Sequence, residues 1–365
     1  MQIAGTSYRT LWPTARGAVR IIDQTRLPFE LAFLDLRSLE EAAQAIRAMH
    51  VRGAPLIGAT AAYGLALGLA ADSSDAGLET ALRTLLATRP TAHNLGWALR
   101  RLEARLRPLP LGERAAAAWE EAAAICEQDV ENCAAIARHG AALIERAAAR
   151  RGGARVRILT HCNAGWLACI DWGTALAPVY RAFDAGIELE VWVDETRPRN
   201  QGAALTAFEL GAHGVPHTVI ADNLGGLLMQ RGEVDLVIVG ADRVTAQGDV
   251  CNKVGTYLKA LAARDNEVPF YVAFPSSTLD ARLDLGCDIP IEERDARELT
   301  HVSGRTAEGR IDSVQIVPDG SRALNLAFDV TPARLVSALI TERGITSASR
   351  SGLAPLLAPA GEAAA

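Results

Sequence analysis

At 365 residues the chain is too long for one simple core and suits two domains, or one large domain with an extension. Apolar residues are 49% and charged residues 22%, a soluble globular balance, and a net charge of −6 with a sequence pI near 5.7 leaves no basic face for nucleic acid. The six cysteines include no C-x-x-C pair, which removes a zinc ribbon or dithiol redox motif and leaves free thiols in a reducing cytoplasm as the expectation.

In chain order, residues 1–13 lack the basic-then-apolar order of a secretory leader. Short strands are expected within residues 19–34. Helical patterns follow over residues 39–49, 78–87, 95–106 and 115–149, with Pro108 and Pro110 separating the last two. Ala54–Ala71 runs 18 residues without a charge, near the lower limit for a membrane span. It is mostly alanine, carries Pro55, Gly58, Gly64 and Gly68, and has no second segment like it, so a buried helix is expected. Residues 1–150 therefore read as a mostly helical N-terminal domain.

From Arg155 the texture changes. Strand patterns at Val156–Thr160, 189–193, 217–221, Leu236–Val239 and 270–274 alternate with helical ones at 174–184, 203–212 and 254–264. This alternation predicts an α/β domain over residues 151–350, a parallel sheet with helices on both faces. Residues 351–365 read as a C-terminal tail, frayed and Ala-rich from 356 onward.

In such sheets chemistry gathers past the carboxyl ends of the strands. His161-Cys162-Asn163, Asp194 to Arg197, Asp222-Asn223, Gly240 to Arg243 and Pro275 to Thr278 all fall there. Cys162 precedes Asn163-Ala164-Gly165, a turn whose backbone N–H groups would stabilise a thiolate or a bound anion; an inert buried thiol fits the same residues. Asp242 closes the most apolar strand, where desolvation would raise its pKa and make it a general acid; an ion pair with Arg243 is the competing reading. Arg52-Gly53-Ala54, just ahead of Pro55, offers a phosphate cradle at a helix start, and Asn252-Lys253 could hold the same phosphate. Arg89, before Pro90, and Gln201, before Gly202, have the same standing, and each taken singly also suits an ordinary surface role. No G-x-G-x-x-G follows the first strand, and there is no P-loop and no G-x-S-x-G elbow, which weakens dinucleotide enzymes, nucleotide hydrolases and serine hydrolases together.

Taken together, Arg52-Gly53-Ala54-Pro55-Leu56-Ile57-Gly58, Thr160-His161-Cys162-Asn163-Ala164-Gly165, Glu195-Thr196-Arg197-Pro198-Arg199-Asn200-Gln201-Gly202, Gly240-Ala241-Asp242-Arg243, Asn252-Lys253-Val254-Gly255-Thr256 and Ala327-Phe328-Asp329-Val330-Thr331-Pro332 resemble the methylthioribose-1-phosphate isomerase family of methionine salvage. The resemblance runs from about Asp23 to Gly344. It implies a helical N-terminal domain, a Rossmann-like catalytic domain and a cytoplasmic homodimer that isomerises a sugar phosphate with no cofactor and no metal. It implies Cys162 and Asp242 as the catalytic pair, with Arg52, Gly53, Ala54, Arg89, Gln201, Asn252 and Lys253 on the substrate. The same superfamily holds ribose-1,5-bisphosphate isomerases and non-catalytic regulatory subunits of a translation initiation factor; the joint presence of Cys162 and Asp242 favours an enzyme. A reductase with an atypical nicotinamide site is the remaining class. Ala164, Asp171-Trp172-Gly173 and Leu326 depart from the family pattern, the first two close to Cys162, which bears on the 5-substituent of the sugar. Trp166 and Trp172 follow Cys162 closely and either border that substituent or pack the sheet.

Overall fold

The computed structural model describes residues 1–357. A hairpin of β1 (Gln2–Ile3) and β2 (Thr6–Ser7) precedes an antiparallel sheet of β3 (Leu11–Pro13), β4 (Val19–Ile22) and β5 (Phe33–Leu36). The helices α1 (Leu39–Arg47), α2 (Ala54–Ala71), α3 (Asp75–Leu86), α4 (His93–Leu106) and α5 (Leu111–Arg150) come next. Serine caps set two of the starts: Ser38 accepts the Glu41 N–H and Ser74 accepts the Gly77 N–H. That cap is why α3 begins three residues before the apolar pattern does: its first buried residue is Leu78.

α2 is apolar all round, as only a helix with neighbours on every side can be in water. Among the described residues it is the one helix long and apolar enough to cross a membrane, and most of it is buried. Leu56, Leu65 and Leu69 join residues of α1, α3, α4 and the first half of α5 in one apolar core. The second half of α5 serves a different core: Ile136, Leu143 and Ile144 pack beneath the large sheet. This one helix of 40 residues therefore ties the helical half to the sheet half.

The sheet half contains β6 (Val156–Thr160), α6 (Ala177–Asp184), β7 (Leu189–Asp194), α7 (Ala207–His213), β8 (His217–Ile220), α8 (Leu224–Gln230) and β9 (Leu236–Val239). It continues through β10 (Arg243–Thr245), β11 (Val250–Lys253), α9 (Thr256–Asp265), β12 (Phe270–Ala273), β13 (Leu279–Asp280), α10 (Arg297–Thr300), β14 (His301–Arg305), β15 (Ile311–Gln315), β16 (Phe328–Thr331), β17 (Ala338–Thr341), β18 (Gly344–Thr346) and α11 (Arg350–Leu357). The main sheet has seven strands in the order β18-β17-β12-β9-β6-β7-β8, parallel throughout except for β18. Side chains alternate between its faces. Ile158, Val191 and Ile238 face the core of α5 and α6, while Leu159, Val237 and Val239 face the core of α8 and α9. The protein is thus a mixed α/β fold built on a large parallel sheet.

Two features differ from the sequence reading. β10, β11, β13 and β16 form a separate four-stranded sheet that periodicity did not reveal, because β10 and β13 are only three and two residues long and β11 and β16 mix polar residues into runs of four. The expected tail begins instead as α11, which buries Leu353 and Leu356; residues 358–365 lie outside the described residues.

Candidate active site

Strand order locates the site. From β6 the chain moves outward to β7 and β8, and from β9 it moves the other way to β12 and β17. The switch point is the crevice between neighbours β6 and β9, where ligands bind in open parallel sheets. Cys162 lies just past β6 and Asp242 just past β9. Close approach of the two loops needs Gly240, since a Cβ there would stand 2.6 Å from that of Ala164.

Cys162 is held in a left-handed backbone conformation (φ 66°). Its N–H donates to Thr196 Oγ1 at 2.7 Å, and its carbonyl accepts from the Thr206 hydroxyl at 2.7 Å. Its thiol donates to Gln201 Oε1 at 3.1 Å. Burial pushes the thiol above its usual range, against the pull of Arg52 and Lys253, while Asp242 adds to the rise.

Asp242 arrives by a hairpin: β10 pairs antiparallel with β11, and the Asp242 N–H donates to the Cys251 carbonyl at 2.9 Å. The same hairpin places Asn252 and Lys253 beside it. Desolvation raises the Asp242 carboxyl, with Lys253, Arg89 and Arg52 drawing it back down. Asp242 keeps a partly accessible surface in the crevice although protein surrounds it densely. The competing ion pair with Arg243 does not form: Arg243 turns away to Asp280 at 3.6 Å and to the Thr91 carbonyl. Lys253 donates to the Ala327 carbonyl at 2.8 Å and sits over the Phe328 ring, and burial lowers its pKa. β11 pairs with β16 in a register that sets Lys253 opposite Phe328, which is why the late Ala327-Phe328-Asp329 segment belongs to the site.

The helical half supplies the rest. Arg52, only 7% exposed, donates to the Asn163 carbonyl at 2.6 Å and to its side-chain oxygen. Gly53 caps α2 with φ 97°, and a Cβ there would meet Ala168 at 2.5 Å; Ala54 is buried behind it. Arg89 pairs with Glu292 at 2.8 Å and reaches Asp242 and Lys253 electrostatically. Asn252 donates to Thr256 Oγ1 at 3.0 Å, fixing the entry to α9. Cys162, Asp242, Arg52, Arg89 and Lys253 thus share one electrostatic neighbourhood, with Gln201 on the thiol and Asn252 next in chain to Lys253.

One buried carboxylate had not been singled out. Glu209 accepts from Asn163, from the Trp166 N–H at 2.7 Å and from the Tyr180 hydroxyl at 2.9 Å, and desolvation pushes it up to about 7. A carboxylate four residues after Leu205, on the buried face of a predicted helix, was the available signal. Asp194 binds His161 at 2.8 Å and Lys259 at 3.1 Å beneath the Cys162 turn. Trp166 is fully buried against the sheet, and Trp172 packs on Cys133, Ala168 and Cys169. Neither lines the cavity of about 640 Å³ that meets the site at Arg52 and Gln201. Two groups of side chains that could ligate a metal ion converge in the fold: Asp129, Cys133 and Cys169, and His161, Asp194 and Asp222. Sequence spacing could not show this, because each triad draws on distant segments.

A model of the initiation factor 2 subunit family matches residues 50–348. Methylthioribose-1-phosphate isomerase of Methylorubrum populi is 64% identical over 98% of this chain and 98% of its own length. That of Rhodospirillum rubrum is 60% identical over 100% of this chain and 97% of its own.

The chain belongs to the methylthioribose-1-phosphate isomerase family.

Solved structures agree on the fold this family shares with initiation-factor subunits. The 5-methylthioribose 1-phosphate isomerase of Pyrococcus horikoshii OT3 superposes with a TM-score of 0.81 at 38% identity, covering 96% of each chain. The translation initiation factor eIF-2B subunit delta of A. fulgidus gives 0.77 at 38% identity, over 96% of this chain and 99% of its own. Since one fold carries both names, the reading of this family member's activity rests on its site. If Arg52 and Lys253 hold a substrate phosphate, Arg52→Ala and Lys253→Ala will each raise KM more than they lower kcat. Steady-state kinetics measure this, and an unchanged KM in both variants would move the phosphate elsewhere.

Proposed function

We propose that this protein converts 5-methylthioribose 1-phosphate, an aldose, into 5-methylthioribulose 1-phosphate, a ketose, as a cytoplasmic homodimer acting in methionine salvage without a cofactor. The observation that carries the reading is the meeting of a raised thiol and a raised carboxyl at the sheet's switch point, faced by Arg52, Arg89 and Lys253. The names of the relatives at 60–64% identity supply the sugar.

Phosphate on the anomeric carbon prevents the ring from opening spontaneously, so an acid must protonate the ring oxygen. Asp242 takes that role, because its desolvated carboxyl holds its proton more tightly than an ordinary carboxylic acid. It gives up that proton as the C1–ring oxygen bond breaks. The C2 hydrogen then passes to C1, and the C2 hydroxyl loses its proton as the carbonyl forms, so the site regains the proton it spent. Cys162 either carries the C2 hydrogen as a proton or assists its movement as a hydride. A thiol raised by burial and donating to Gln201 is a poor base, which favours the hydride route. Turnover in deuterated water decides this: the ketose should carry no solvent deuterium at C1, and incorporation would make Cys162 the proton carrier.

The sugar itself is tested with three ribose 1-phosphates. The methylthio and 5-deoxy forms should both be turned over, the methylthio form with the higher kcat/KM, since it carries two more heavy atoms and each methylene-sized group discriminates by about 1–3 kcal/mol. Ribose 1,5-bisphosphate should be much poorer, because a second phosphate would need a cation still free to pair with it. Arg26 and Arg199, which line the adjoining cavity, are already paired with Glu30 and Glu298 of the same lining, whose carboxylates would repel a second phosphate and leave Arg297 as the lining cation outside the site that it would have to use. A preference for the bisphosphate would overturn the choice of sugar.

A further inference from the structure

The hydrogen bonds that hold Arg52 all run to Asn163: one guanidinium nitrogen donates to the Asn163 carbonyl at 2.6 Å and another to its side-chain oxygen. Behind Asn163 stands Glu209 of α7, 0% exposed. One oxygen of its carboxylate accepts from the Asn163 side-chain nitrogen, and the other accepts from the Trp166 N–H and the Tyr180 hydroxyl. A guanidinium can only donate and a carboxylate can only accept. The Asn163 amide between them therefore has one orientation, oxygen toward Arg52 and nitrogen toward Glu209. That nitrogen also donates to Thr206 Oγ1 at 3.1 Å, and the Thr206 hydroxyl in turn donates to the Cys162 carbonyl. Gly165 leaves the carboxylate its room, since a Cβ there would stand 2.0 Å from a Glu209 oxygen.

We propose that Glu209 is a positioning residue for the isomerisation: by holding the Asn163 amide in one orientation it fixes the Arg52 guanidinium for the substrate's phosphate. The inference rests on the phosphate-binding role given to Arg52 above. Glu209 acts because both of its oxygens are acceptors. In Glu209→Gln one of them becomes an NH2 group. The Trp166 N–H belongs to the backbone and cannot turn away, so the glutamine keeps its oxygen there and points its NH2 at Asn163. Asn163 then has to turn over, which brings its own NH2 against Arg52 and removes the side-chain half of the guanidinium's hold.

Steady-state kinetics on 5-methylthioribose 1-phosphate compare the wild type, Glu209→Gln, Arg52→Ala and the double variant of the two. Glu209→Gln should raise KM about tenfold and lower kcat less, the same signature as Arg52→Ala. In the double variant KM should be no higher than in Arg52→Ala alone, because Asn163 then has no guanidinium to orient. Combining Glu209→Gln with Asn163→Asp exchanges the amide and the carboxylate. Arg52 regains an acceptor, the glutamine NH2 finds one, and most of the rise in KM should disappear. If Glu209→Gln melts early, Gly165→Ala carries the test, because its methyl group displaces the carboxylate from Asn163 and should raise KM in the same way. An unchanged KM in Glu209→Gln would overturn the positioning role. So would a double variant whose KM rises by the product of the two single effects, or an exchange variant no better than Glu209→Gln. An unchanged KM in Arg52→Ala would instead overturn the phosphate role beneath it.

Discussion

Cys162→Ala and Asp242→Asn should each lower kcat by at least about 100-fold while leaving the fold intact, the usual scale for losing an acid–base group. For Asp242 the argument is one of proton supply. Its carboxyl is raised by desolvation, and an amide of the same shape has no proton to give to the ring oxygen. The acid works only while protonated, so wild-type kcat/KM should fall on the alkaline side as pH passes the raised pKa of Asp242. Asp242→Asn should lose that limb along with the activity. For Cys162 the choice of replacement separates the two routes. Serine keeps a hydroxyl that can donate to Gln201, so Cys162→Ser should retain more activity than Cys162→Ala if the hydrogen moves as a hydride. Equal loss in both would point to a thiolate base. Near-normal kcat in either Cys162→Ala or Asp242→Asn would remove that residue from the mechanism.

The largest expected loss of stability is at Asp194. This carboxylate is 0% exposed and pairs with the Lys259 ammonium, itself only 5% exposed, and with His161. Asp194→Ala would leave Lys259 charged and without its carboxylate in the interior, its remaining partner being the Asp222 carbonyl. Removing one member of a buried pair costs about 3–5 kcal/mol, since the surviving charge stays desolvated. The shift in urea midpoint measures this. Adding Lys259→Met should restore much of the loss, because no unpaired charge then remains. A double variant no more stable than the single one would show that the penalty comes from elsewhere, such as the cavity left beneath Thr196. That residue links the two regions: its hydroxyl donates to the Asp194 carbonyl at 2.9 Å and accepts the Cys162 N–H.

Much of the site was legible as chain positions. Cys162 and Asp242 stand directly after two short β-branched runs, and strand ends are where open parallel sheets do chemistry. The glycine of Arg52-Gly53-Ala54 and the lysine of Asn252-Lys253 were visible for the same reason: helix entries and loop ends announce themselves locally. Arg243 misled, because an adjacent opposite charge looks like a partner until the strand it opens sends its side chain to Asp280. For Trp166 the packing alternative holds, since nearness to Cys162 in sequence says nothing about which face of the turn it occupies.

Periods of 3.6 and 2 residues are properties of a few consecutive residues, so the helices of the first half and the first five parallel strands could be read from the chain, as could the buried state of the charge-free α2. Adjacency is not such a property. That β6 lies beside β9 rather than beside β7 alone, that β10 and β11 fold back to set Asp242 near Lys253, and that β16 comes to join them from 75 residues onward depends on which apolar faces can be buried together. A division at residue 150 follows composition, yet α5 spends its two halves on two cores, and only packing shows that. The cavity beside Gln201 is likewise built from segments scattered between Gln24 and Ser313, none of which carries a local mark of the space they enclose.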